Sequence, residues 1–207
     1  MLKIIIWTFT LLLLPTTVLA DDFGQKLSVA AIERTKQDVR YDGRYISIAY
    51  PGGDVPANIG VCTDVVIRSY RAVGYDLQKL VHEDMKANFQ AYPDIWGLTR
   101  TDRNIDHRRV PNLRTFFTRN GQSLTTGENA SDAYLPGDLV SWKIGGRLAH
   151  IAVVTNKLAS DGKTLLVSHN MGSGPRLENV LFAWPMTGHY RFNPTASSAT
   201  TNATGQN

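Results

Sequence analysis

The spacing of apolar residues follows a helical period in the first half of the chain. Residues 23–39 carry apolar side chains at helical intervals and predict a helix. From Thr63 onward apolar residues again lie on one helical face, until Gly74 supplies a stop signal. A third helix is predicted after Asp76, a favourable N-cap residue, and a short fourth helix after Pro111. This half is therefore predicted to be mainly helical.

The second half changes to alternating apolar and polar residues. Residues 139–144 and 148–156 alternate on either side of a glycine pair, which predicts a β-hairpin. Residues 163–170 and 188–192 predict two further strands, and residues 45–50 an extended segment. Helices followed by an antiparallel sheet indicate an α+β domain.

Both ends of the chain differ in composition from this domain. Residues 1–20 have a basic start at Lys3, a short apolar core and small or aliphatic residues up to Ala20, which is the layout of a secretory signal peptide. The apolar core is too short for stable membrane insertion, although a retained amino-terminal anchor is the alternative. We expect one soluble domain at 21–192, in the periplasm or outside the cell, and a disordered polar tail at 193–207.

Charge and cysteine content narrow the classes of function. The formal net charge is +4, and removing Lys3 with the signal peptide leaves +3. So small a charge does not indicate a nucleic-acid-binding protein, but it suits an anionic polymer such as cell wall. Since Cys62 is the only cysteine, no intramolecular disulfide can form. In an exported chain such a residue is either a buried packing residue or a reactive thiol.

Cys62 stands at or just before the first turn of a predicted helix. A helix amino-terminus lowers the pKa of a thiol, and a neighbouring imidazole can remove its proton. His150 begins one predicted strand and His169 ends the next, so antiparallel pairing brings them together. Cys62, His150 and His169 then match nucleophile, base and orienter, with Asn170 as the competing orienter.

Two other interpretations of these residues remain open. Each histidine can instead be a structural residue with its hydrogen bonds satisfied. Cys62, His150 and His169 can also hold zinc, but they lack the short paired spacings of zinc motifs, so we expect no metal.

A charged loop, NIDHRRVPN at 104–112, is the remaining unusual segment. Arginine binds carboxylates in a bidentate manner, so His107, Arg108 and Arg109 are candidates to bind an acidic peptide substrate. The alternative is a solvated loop with an internal ion pair. Asp64 either caps the helix of Cys62 or orders a nearby arginine, and it joins Asn170 among the candidate substrate-binding residues.

Several motifs resemble a known family when they are taken in order. The chain is similar to the NlpC-like, papain-related superfamily of bacterial cell-wall cysteine peptidases and amidases over most of residues 57–192. More closely, it resembles a YijF-like family of proteobacterial envelope proteins, a domain of unknown function. The motifs that carry this closer resemblance are YPGGDVP, GVCTDVVIRSYR, LVHEDM, NIDHRRVPNL, PGDLVSW, LAHIAVV and GHYR.

The resemblance implies a papain-like, NlpC-type core with Cys62 as nucleophile, His150 as general base and His169 as the third polar residue. The wider superfamily has an acidic residue before its cysteine and a Ser-Gly pair after it. Here Val61 precedes Cys62, and Thr63-Asp64 follow. This departure leaves the three residues intact, but it leaves open whether the superfamily's usual substrate specificity applies to this chain.

These observations together predict a monomeric periplasmic cysteine hydrolase that cleaves an amide bond in peptidoglycan or muropeptides without a cofactor. One alternative is a non-catalytic envelope-binding module on the same scaffold, in which Cys62 is buried and inert. Another is a thioester or lipid acyl hydrolase with the same three residues, which a long apolar cleft would favour.

Overall fold

The computed structural model describes residues 22–194. The predicted signal peptide at 1–20 lies outside these residues, as does the predicted tail beyond Pro194. None of the helices in the described part of the chain is long and apolar enough to cross a membrane.

In the described part of the chain, four α-helices form where the helical spacing predicts them. Their bounds are α1 at Asp22–Arg34, α2 at Cys62–Ala72, α3 at Leu77–Ala87 and α4 at Val110–Asn120. Short 3₁₀ turns lie at Phe89–Ala91, Asp106–Arg108 and Glu128–Ala133. The side chain of Asp76 accepts a hydrogen bond from the Gln78 amide, which confirms Asp76 as the N-cap of α3.

The first helix is shorter than predicted. It ends at Arg34, because the next three amides donate to carbonyls three residues back, as in a 3₁₀ turn. The extended segment predicted at 45–50 is not a strand. Its backbone bonds to side chains instead, with the Ile48 amide donating to Asn104 and the Ala49 carbonyl accepting from Gln78.

Within residues 22–194, eight strands form two sheets. A two-stranded parallel pair joins β1 (Arg40–Tyr41) to β2 (Ile59–Gly60). The main antiparallel sheet has the order β3-β8-β4-β5-β6-β7. Its strands are β3 at Gln122–Ser123, β4 at Leu139–Ile144, β5 at Leu148–Leu158, β6 at Leu165–Asn170, β7 at Pro175–Glu178 and β8 at Met186–Arg191. The α+β class, the hairpin β4–β5 and the later strands are confirmed, whereas β3 and β7 were not predicted.

The main sheet separates two apolar clusters. On one face Ile151 and Val153 pack with the helices, in the cluster that contains Cys62. On the other face Ala152 and Val154 pack with Trp142. Successive side chains of β5 therefore point to opposite faces of the sheet, and both faces are buried. Each fully buried large apolar side chain contributes roughly 1.5–3 kcal/mol to folding.

Helix α2 is buried along most of its length. Its first nine residues, Cys62 to Tyr70, are all buried, and it packs against α1, β5 and β6. At its far end the Tyr70 hydroxyl donates to the Phe192 carbonyl at 2.8 Å. This packing fixes where the amino-terminus of α2 meets the sheet.

Candidate active site

Cys62 is the first residue of α2, as the sequence predicts. Val61 precedes the helix in an extended conformation, and its amide donates to the Asp64 carboxylate at 2.7 Å. Asp64 therefore caps the helix that carries Cys62, which is the structural role proposed for it.

The thiol of Cys62 lies against the backbone of β5. The neighbouring amides of Ile151, Thr63 and Cys62 favour its thiolate form. Burial outweighs these contacts and, with the charge of Asp64, raises the pKa of the Cys62 thiol to about 11. At neutral pH the resting thiol is therefore protonated.

A chain of three side chains begins one residue before Ile151. Nε2 of His150 lies 2.8 Å from Nδ1 of His169, and Nε2 of His169 lies 2.7 Å from a carboxylate oxygen of Glu178. The predicted meeting of the two histidines is thus confirmed. His169 rather than Asn170 is the partner of His150, and Glu178 extends the chain to the half-exposed edge strand β7.

The chemistry of these contacts defines the tautomers. A carboxylate can only accept, so Nε2 of His169 carries the proton that it donates to Glu178. Burial lowers the pKa of His169 and keeps the ring neutral, so its Nδ1 is an acceptor. His150 must then donate from Nε2, which leaves the lone pair on its Nδ1. That atom makes no hydrogen bond to residues 22–194.

Aromatic side chains enclose the histidine pair. His150 stacks on Trp142 with the ring centres 5.8 Å apart, and Trp184 lies 6.2 Å from His150 and 6.3 Å from His169. This apolar environment lowers the pKa of His150 to about 3, chiefly by desolvation. His150 is therefore a neutral base at physiological pH.

Cys62 and His150 lie on opposite faces of β5. Cys62 packs with Ile151 in the cluster on the helical face, whereas the His150 ring stacks on Trp142 on the other face. Among residues 22–194 no hydrogen bond links the thiol to either imidazole. Of the three predicted catalytic residues, only the two histidines are therefore in direct contact.

Tyr41, which sequence reasoning did not single out, borders the thiol. It pairs with Gly60 in the small parallel sheet, two residues before Cys62. Burial raises the pKa of its phenol, and the charges of Cys62 and Asp64 raise it further. Its side chain is still 40% exposed, so it connects the buried thiol to the surface.

Arg108 does not have the exposed position that substrate binding requires. Its guanidinium donates to both carboxylate oxygens of Asp64, at 2.8 and 2.9 Å, and both side chains are buried. It also donates to the Arg44 carbonyl at 3.3 Å. Arg108 and Asp64 satisfy each other, so the expectation that they bind substrate is corrected to a structural role that holds the charged loop against α2.

The rest of the charged loop is also packed rather than solvated. His107 is buried, and desolvation lowers its pKa to about 4. Arg109 pairs with Asp106 at 3.3 Å and lies 4.1 Å above the ring of Trp96. The predicted internal ion pair is therefore present, but between Arg109 and Asp106. Of the proposed substrate-binding residues in this loop, only Arg109 retains partial exposure.

Asn170 is bonded to the backbone near Cys62. Its amide nitrogen donates to the Gly60 carbonyl at 3.3 Å, and its oxygen accepts from the Gly172 amide at 3.1 Å. It therefore supports the segment that leads into α2. Within the described residues no group of three or more His, Cys, Asp or Glu side chains is arranged to hold a metal ion.

Glu178 is the functional candidate that sequence reasoning missed. Its strand, PRLE, is short and lacks the alternation that marked the other strands. Only the pairing of β7 with β6, in which His169 lies opposite Arg176, places Glu178 beside the His169 ring.

Comparisons with known proteins give the family but no activity. A family described as "Domain of unknown function (DUF1287)" matches residues 28–192. The "Uncharacterized protein YijF" of Escherichia coli (strain K12) is 51% identical over 180 residues, which cover 86% of this chain and 87% of that protein.

Proposed function

The chain belongs to the DUF1287 family and is similar to YijF, and we propose that it is a cysteine hydrolase that cleaves an amide bond. The proposed substrate is peptidoglycan or a muropeptide, and the proposed compartment is the periplasm. We further propose that its helix-and-sheet arrangement is a papain-like core of the NlpC type. The motif resemblance and the signal-like residues 1–20 support these assignments.

One observation carries the proposal. The contacts of His169 and Glu178 leave His150 with a free lone pair on Nδ1, one residue before Ile151, whose amide favours the Cys62 thiolate. A buried neutral base with one unused nitrogen supplies half of a thiol–imidazole pair. Because the His150 ring lies on the face of β5 opposite Cys62, the proposal requires the ring to turn toward the thiol when substrate binds.

The proposed reaction starts from a neutral thiol and a neutral imidazole. When a substrate carbonyl approaches, Nδ1 of His150 takes the proton of Cys62 as the sulfur attacks the carbonyl carbon. The developing oxyanion accepts hydrogen bonds at the amino-terminus of α2, where the Cys62 amide is the nearest donor. His169 and Glu178 stabilise the His150 imidazolium that forms.

The second half of the reaction reverses the proton transfer. His150 gives its proton to the leaving amine as the carbon–nitrogen bond breaks, which leaves a thioester on Cys62. Water then loses a proton to His150 and attacks the thioester, and the acid product leaves with the thiol restored. No cofactor takes part in these steps.

A second candidate function is a non-catalytic envelope-binding module. The raised pKa of Cys62 and its lack of an imidazole partner within residues 22–194 favour an inert, buried thiol. Iodoacetamide labelling followed over pH separates the candidates. The module predicts labelling only after denaturation. The hydrolase predicts labelling of the folded protein that accelerates as the pH rises through 9 to 11, because the thiolate is the reactive form.

The decisive experiment is digestion of purified peptidoglycan by the mature domain, with products resolved by mass spectrometry. Wild type is compared with Cys62→Ala and His150→Gln. New muropeptides from the wild type only support the hydrolase, and their masses identify the bond. Equal product profiles from wild type and Cys62→Ala would reject Cys62 as the nucleophile.

A further inference from the structure

A cavity of about 300 Å³ lies along α2. It is enclosed by the end of α1, by α2 and by Pro175 at the start of β7. Gly60 and Val61, the two residues before Cys62, form part of its wall, together with three arginines: Arg34, Arg68 and Arg71. Its wall therefore holds more arginines than carboxylates and includes the segment that leads into the candidate nucleophile.

Two of the arginines have a carboxylate partner. Arg68 and Arg71 share Asp54, at 3.0 and 2.9 Å. The other acidic side chain in the wall, Asp64, is bonded at both oxygens to Arg108. Neither carboxylate in the wall is therefore available to balance Arg34.

Arg34 is the unbalanced charge. Its Nε is buried and has no hydrogen-bond partner among residues 22–194, and no carboxylate in that part of the chain forms an ion pair with it. A buried guanidinium nitrogen without an acceptor is costly, and native structures nearly always supply a partner. An anionic ligand in the cavity would supply one.

We propose that this cavity binds a carboxylate group of the ligand through Arg34. A guanidinium fork matches the two oxygens of a carboxylate, and the valine and alanine side chains in the wall accommodate the apolar part of a short peptide. Because Gly60 and Val61 lead directly into Cys62, the bound carboxylate anchors the substrate beside the nucleophile. This last step rests on the proposed hydrolase function, whereas anion binding does not.

The test measures binding in the absence of turnover, so it does not depend on whether the protein is a hydrolase. The probe is N-acetyl-dialanine with a free carboxylate, titrated calorimetrically into the Cys62→Ala protein. The matched ligand is the same peptide with a carboxy-terminal amide. We expect the amide to bind at least about tenfold more weakly, because a hydrogen bond to a charged group is worth more than one decade of affinity.

Three protein variants locate the effect. Arg34→Gln should remove the preference for the carboxylate, and Arg34→Lys, which keeps the charge without the fork, should retain part of it. Arg147→Gln is the matched control, because Arg147 is an exposed arginine that does not line this cavity, and it should keep the full preference. Unchanged carboxylate preference in Arg34→Gln would overturn the proposal.

Competition by inorganic phosphate tests whether the cavity prefers a phosphate or a carboxylate. We expect phosphate to compete no better than the carboxylate peptide. Phosphate binding at least about tenfold tighter would overturn the assignment to a carboxylate.

Discussion

Two buried clusters in the main sheet pair histidine with a carboxylate, and they differ in whether any ring nitrogen is left unused. In the first cluster His150 bonds His169, which bonds Glu178. In the second, on β8, His189 bonds the Thr125 carbonyl through Nδ1 and the Asp138 carboxylate through Nε2, both at 2.8 Å.

Both ring nitrogens of His189 therefore face acceptor oxygens. The Asp138 carboxylate is shared with Arg191, which donates to its two oxygens at 2.7 and 2.8 Å. The ring of His189 is also stacked 3.9 Å from the ring of Tyr134. Every polar atom of this ring is bonded, so the cluster can stabilise the fold but has no atom available for proton transfer.

The comparison shows that burial does not distinguish a histidine with an unused ring nitrogen from one with both nitrogens bonded. His150 and His189 are both 1% exposed. The difference lies in the chemistry of their partners, because a second histidine can accept a hydrogen bond and a carboxylate–carbonyl pair leaves no free lone pair. The four predictions that follow separate the roles of the two clusters.

Replacing His150, the proposed base, should have the largest effect on the rate of cleavage. We expect His150→Gln to lower the rate of peptidoglycan cleavage by about a thousandfold or more, because general base catalysis contributes about 10²–10⁴-fold. Its thermal unfolding should stay close to wild type, since no buried charge is removed. Product release is measured by mass spectrometry. Activity within tenfold of wild type would exclude His150 as the base.

Replacing His189 should have the opposite result, with lower stability and unchanged cleavage. We expect His189→Gln to lower the free energy of unfolding by roughly 1–3 kcal/mol, because it removes the hydrogen-bond partner of a buried acceptor. Cleavage per folded molecule should be unchanged. Denaturant titration measures the first quantity, and digestion at matched folded concentration measures the second. A stable but inactive variant would contradict the structural role of His189.

Replacing Glu178, at the end of the chain His150–His169–Glu178, should have an intermediate effect on cleavage. We expect Glu178→Gln to lower cleavage by roughly tenfold to a hundredfold, as part of the contribution of the base. A glutamine oxygen still accepts from His169, but it no longer stabilises the positive charge on the His150 side. The pH profile separates this positioning role from a packing role, since the apparent pKa of the base should fall in the variant. An unchanged profile would indicate packing alone.

Acid should lower the free energy of unfolding, because His150 is held neutral in the folded protein. The pKa of His150 falls to about 3 in the folded state from an ordinary value of 6.5, so below pH 6.5 the unfolded chain binds a proton that the folded chain does not. Stability is thus lost as the pH falls from 6.5 toward 3. At pH 5 we expect a loss of roughly 1–2 kcal/mol relative to pH 7.

His150→Gln should reduce this loss, because the variant has no group at this position to protonate. The contributions of Asp106 and His107, whose pKa values also shift, cancel when the two proteins are compared at each pH. Parallel denaturant titrations at pH 7 and pH 5 measure the difference. Equal losses in both proteins would show that His150 is not the group responsible.

Local sequence patterns determined much of the fold and the contact between His150 and His169. The start of α2 at Cys62, the hairpin β4–β5 and the meeting of His150 with His169 all follow from periodicity and the antiparallel rule. These features depend on residues close in sequence, or on strands joined by one connection, so local spacing is sufficient to predict them.

Only the tertiary structure decided which side chains satisfy one another. Arg108 and Asp64 are 44 residues apart, and their pairing turned an expected substrate clamp into a structural contact. Glu178 reaches His169 because β7 completes the sheet edge, and Arg34 is left unbalanced because its neighbours' carboxylates are already paired. Such contacts depend on how distant elements pack, and the pattern of residues along one segment carries no information about the partners that another segment brings.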